Sequence, residues 1–89
     1  MSLADLRARM SAEQDVKRVL ELEQCGGLYH YMIETNFATF PKFVIGTTDE
    51  VFDDVRPIFK CGEESNARAA WDKAVGSEDN AFREALALE

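Results

Sequence analysis

The apolar positions change period along the chain, and each change predicts an element. Leu3, Leu6 and Met10 fall three and four apart, which predicts a separate short helix within residues 1–10. Ser11 and Gln14 then fit a capping box, in which each side chain satisfies the other residue's free backbone N–H. Ala12, Val16, Val19 and Leu20 recur at helical spacing after it. A helix is therefore expected over 12–24. Cys25-Gly26-Gly27 closes it, because glycine accepts the left-handed conformation of a C-terminal cap.

The period then becomes two. Leu28, His30, Met32 and Glu34 alternate with Tyr29, Tyr31, Ile33 and Thr35. The second set is aromatic and β-branched, so it is expected to face the core of a strand over 28–35. The first set is mixed, and a helix or a second copy of the chain is expected to cover it. Asn36 to Pro41 reads as a loop, and Phe43-Val44-Ile45 marks a strand over 42–46 that stops at Gly46. Two strands joined by a short loop predict an antiparallel hairpin. Phe37 and Phe40 in that loop either fold under the hairpin or anchor a partner.

Helical spacing returns after the hairpin. Thr47 with Glu50 forms a second capping box, and Val51, Phe52 and Val55 follow at helix intervals. A helix is expected over 48–55, stopped by Pro57, which lacks an N–H and crowds the preceding turn. Ile58–Cys61 is then either a third strand or a kinked continuation. Ala67, Ala70, Trp71, Ala74 and Val75 make the apolar stripe of a helix over 64–75. Gly76 ends it. Ser77 caps a last helix over 78–88, with Phe82, Ala85 and Leu86 facing inward. The expected fold is α+β: a small antiparallel sheet of two or three strands packed against helices, in one compact domain over residues 1–89.

With the helix at 11–24 in front, the order helix, three strands, helix is similar to that of double-stranded RNA-binding domains. The likeness is one of topology and covers residues 11–75. Those domains hold phosphates with a basic final helix and loop. Here that stretch carries Glu63, Glu64 and Asp72 against Arg68 and Lys73, and the charge argues against RNA binding.

Charge narrows the function further. Seventeen acids against ten Lys and Arg give a net charge of −7, which repels nucleic-acid phosphates and anionic lipid and favours basic partners. No apolar run reaches the length of a membrane span, and residues 1–10 do not read as a secretory signal. Two cysteines are too few for a disulfide framework. A cytoplasmic protein with free thiols is the expectation.

The most distinctive cluster is Asp49, Glu50, Asp53 and Asp54, four carboxylates within six positions. Acids belong in a helix's first turn, so the cluster is either a cap or an acidic patch for a basic protein, with Glu63 and Glu64 extending it. No oxygen-rich calcium loop surrounds it, and no metal or cofactor is expected. Cys25, His30 and Cys61 are the soft ligands and nucleophile candidates. Three scattered residues do not make a zinc site, which needs four ligands. A Cys–His pair is the basis of the alternative reading, a small thiol-dependent enzyme or redox sensor. No phosphate-binding glycine loop, HExxH, CxxC or GxSxG pattern occurs. The leading expectation is a non-catalytic interaction module that binds a basic protein as inhibitor or adaptor, or pairs with itself as a homodimer. Nucleic acid and membrane are not expected partners.

Overall fold

The computed structural model describes residues 2–87. The elements are α1 (Leu3–Ser11), β1 (Val16–Cys25), β2 (Leu28–Thr35), β3 (Phe43–Thr48), β4 (Arg56–Cys61), α2 (Glu64–Ala74) and α3 (Asp79–Ala87). The strands form one antiparallel meander in the order β1-β2-β3-β4. The α+β class is as expected, with four strands. The first and last helices, the hairpin, the strand ending at Cys61 and the alanine-faced helix all form close to their expected bounds. Residue 88 of the last expected helix lies outside the described residues.

Two expected helices do not form. Residues 12–24 mostly build β1, and the bulges of that strand explain its helical look. The register skips between Val16 and Arg18 and again between Val19 and Glu21. Each bulge inserts one extra residue into the strand. Val16, Val19 and Leu22 therefore stay on one face, opposite Thr35, Ile33 and Tyr31. A spacing of two has become a spacing of three, which reads as a helix. Gly26 and Gly27 are the two-residue turn between paired Cys25 and Leu28, with Gly26 at φ 61°. That is a hairpin turn rather than a helix cap. The order that resembled double-stranded RNA-binding domains thus lacks its leading helix at 11–24.

Residues 48–55 are the second correction. β3 runs on to Thr48, and 49–55 is a loop. Asp49 Oδ1 accepts the backbone N–H of Asp53 at 2.8 Å. A side chain that takes a backbone donor locally competes with the helical ladder. Pro57, just beyond, sits in edge strand β4, where a missing N–H is tolerated.

Both faces of the sheet are covered. On one, Leu6 and Met10 of α1 join Val16, Tyr29, Tyr31, Ile33 and Val44. On the other, α2 and α3 cover Met32, Phe43 and Ile45. Ala67, Ala70 and Ala74 are fully buried there, and their small side chains let α2 lie close to the sheet. Trp71 and Phe82 meet edge to face at 5.8 Å, joining α2 to α3. The mixed set of β2 is thus covered by helices of the same chain, with His30 and Met32 fully buried. Phe37 and Phe40 do not fold under the hairpin; they are exposed. The sheet edges are blunted by the bulges of β1 and by Pro57 of β4.

Gly46 is the tightest position in the sheet. A Cβ there would lie 2.3 Å from the Arg56 carbonyl oxygen and 2.8 Å from both Pro57 Cα and the Tyr31 hydroxyl. Two of those three neighbours are backbone and cannot give. Gly46→Ala is expected to cost about 1–3 kcal/mol by overpacking, whereas Gly62→Ala, with nothing within 4 Å, should be near neutral. Urea midpoints of the two variants check this; equal midpoints would contradict it.

Candidate interaction site

The α1 face carries a groove of about 510 Å³. It exists because α1 packs on β1 and does not extend over the whole sheet. Val16, Tyr31, Ile33 and Val44 line it from the strands, Phe52 and Val55 from the β3–β4 loop, and Phe37 from the β2–β3 loop.

The β3–β4 loop is built rather than loose. Asp49 holds the Asp53 N–H, and the Phe52 N–H reaches the Asp49 carbonyl at 3.4 Å. Phe52 adopts φ 55°, a left-handed conformation that is uncommon for a residue with a side chain. Its ring meets Tyr31 edge to face at 6.0 Å. The backbone strain of that φ, about 1–3 kcal/mol, is offset by placing an aromatic ring against the sheet. The Asp49 carboxyl is held low chiefly by the Asp53 N–H.

The six acidic candidates therefore differ in role. Asp49 builds the loop. Asp54 pairs with Arg56 at 3.3 Å. Glu50 and Asp53 are exposed, and their carboxylates have no partner among the described residues. Glu63 and Glu64 lie beyond the far end of β4, roughly 20 Å away at the usual rise of a strand. They do not extend the loop's patch. Glu63 is the N-cap residue of α2, without a side-chain bond. Glu64 binds Arg68 at 2.9 Å and Arg18 at 3.0 Å, and Arg18 also pairs with Glu34. That network ties α2 to the β1–β2 surface.

His30 has a structural setting rather than a place beside a thiol. It is fully buried, stacked on Phe82 with ring centres 3.6 Å apart. Nδ1 lies 2.9 Å from Glu23 Oε1, and Nε2 lies 3.2 Å from Asp79 Oδ1. Two acceptors flank the ring, so a doubly protonated ring satisfies both contacts and a neutral one satisfies one. Asp79 also binds Arg83 at 2.8 Å, and Arg83 donates to Thr47 Oγ1 at 3.1 Å. The cluster fastens α3 to β1, β2 and β3. Sequence spacing hides it, because Glu23, His30 and Asp79 come from three separate elements.

Both ring nitrogens face carboxylates, and neither thiol is bonded to the imidazole. Cys25 Sγ donates to the Ser77 carbonyl at 3.7 Å, and Cys61 Sγ donates to the Glu63 carbonyl at 3.3 Å. Burial pushes the Cys61 thiol up, away from thiolate character. This geometry offers no activated Cys–His pair. Among the described residues, no group of three or more His, Cys, Asp or Glu side chains is placed to hold a metal ion. Nor is any described helix long and apolar enough to cross a membrane.

No family model, curated protein or solved structure matches this chain.

Two outcomes follow from these clusters. His30→Ala removes a buried ring and its stacking contact with Phe82, and should cost about 2–4 kcal/mol in chemical denaturation; a loss within error of zero would contradict the fastening role. Acid titration supplies the other. Arg83 holds Asp79 low, Arg18 holds Glu34 low and Arg68 holds Glu64 low. Carboxyls lowered on folding stabilise above the ordinary carboxylate range. Their contribution fades as pH falls from that range through the lower folded-state values. Stability should drop over that acid window, and Asp79→Asn should flatten the slope. An unchanged slope in that variant would count against the cluster.

Proposed function

We propose that this chain is a non-catalytic interaction module that binds a basic protein as inhibitor or adaptor, using the face between α1 and the β3–β4 loop. The observation that carries the reading is the construction of the loop. Asp49 and Phe52 fix its backbone, while Glu50 and Asp53 leave unpaired carboxylates at the surface beside an apolar groove. Preorganised charge next to apolar surface is the makeup of a protein interface, in which buried anchors supply affinity and rim charges steer encounter. The net charge of −7 supports a basic partner. The thiol alternative has less support, because Cys25, Cys61 and His30 each have other partners.

Asp49 should be left intact, since replacing it disturbs the loop itself. Glu50→Gln with Asp53→Asn removes the free charge and keeps the backbone. Glu63→Gln, at the other end of β4, is the matched control. The expected result is capture of a basic protein from lysate at low salt and its release at high salt, as screening weakens exposed charge pairs. Capture should fall at least several-fold in the double variant and persist in the control. Capture that survives the double variant unchanged would end this reading.

A further inference from the structure

One feature of the groove is not explained by its acidic rim. Tyr31 is only 1% exposed, yet its hydroxyl has no hydrogen-bond partner among the described residues. No sealed side-chain oxygen or nitrogen lacks a partner among the described residues. The hydroxyl is therefore not enclosed in the core, and it opens onto the groove that Tyr31 lines. It lies above Gly46, next to Pro57, where the missing Cβ leaves it room. Burial pushes the phenol up, so it stays a neutral O–H that can accept or donate.

The charges around the groove point to the matching group. Arg9 is already bonded to Glu13. The carboxylates of Asp15 and Asp53 have no partner among the described residues, and Lys60 is the unpaired lining cation. The lining thus holds two acceptor-only anions and one cation that are free among the described residues. Building on the function proposed above, we infer that the groove takes an arginine side chain of the basic partner. Its aliphatic stem lies over Val44 and Ile33, its guanidinium donates to Asp53 and the Tyr31 hydroxyl, and Asp15 adds negative charge towards the groove's other end. Arginine fits better than lysine because its five fixed donors serve several acceptors, and its planar head packs on an aromatic ring such as Phe52. The groove, at about 510 Å³, exceeds one side chain. Neighbouring residues of the partner's segment fill the remainder against Phe37.

The test titrates the full chain with N-acetyl-arginine amide, followed by backbone amide NMR, against N-acetyl-citrulline amide as the uncharged analogue. Saturable shifts at Tyr31, Val44, Phe52 and Asp53, in the millimolar range, are expected with arginine and much weaker with citrulline. Tyr31→Phe should keep the native thermal midpoint, since the hydroxyl has no partner among the described residues, and bind arginine about tenfold more weakly. Asp53→Asn, an exposed change that leaves the core alone, should weaken it likewise. The inference is overturned by an absence of saturable shifts, by equal citrulline binding, or by arginine binding that both variants leave unchanged. If arginine amide fails while the Glu50 and Asp53 double variant still loses its protein partner, the groove assignment falls and the proposed function stands. If arginine binds here but partner capture survives the double variant, the site stands and that function falls.

Discussion

Tyr31 reaches across β3 at the one position without a side chain. Gly46 pairs with Tyr31 in the sheet register, and any Cβ on it would collide with β4 and with the Tyr31 hydroxyl. That close approach sets the rest of the α1 face. The Tyr31 ring gives Phe52 a surface to meet, and Phe52 in turn draws the β3–β4 loop over the sheet. The loop then becomes the second wall of a groove whose first wall is α1. Remove the glycine, and the ring, the loop and the groove all lose their positions together.

The opposite face solves a different problem. A chain of 89 residues has little interior, and fixing a short last helix requires more than apolar contact. Phe82 and Leu86 supply that contact, and the polar cluster supplies direction. His30 between Glu23 and Asp79, with Arg83 reaching Thr47, connects α3 to three strands. Buried polar groups that are fully satisfied specify one arrangement among several that bury equal area. The two faces thus divide the work: one holds the fold together, and the other leaves unpaired groups at its surface.

Much of this was readable from the residues. The alternation of Leu28–Thr35, the alanine stripe of 64–75 and the inward Phe82 and Leu86 each agree with local pattern, because packing there follows the intrinsic period. β1 was not readable as a strand, because its bulges turned a period of two into three. Gly26-Gly27 was the available signal, since two such residues between paired strands make a hairpin turn. The 49–55 loop was hidden by its helix-like acids and apolar spacing, and only the Asp49–Asp53 bond shows why the helix does not start. The acidic residues were visible as a group but not by role. Which of them builds the loop, which is paired and which is free depends on contacts made through space. The Tyr31 hydroxyl was invisible for the same reason, as a tyrosine on a core face is ordinarily taken as packing.

The groove depends on a β3–β4 loop that is preformed, with Phe52 seated on Tyr31 in the free protein. Proton–proton NOEs between the two rings test that most directly. The account predicts strong contacts between the Phe52 and Tyr31 ring protons, and slow exchange of the Asp53 amide held by Asp49. A run of sequential amide contacts over 48–55, as in a helix, with no contact between the rings, would contradict it.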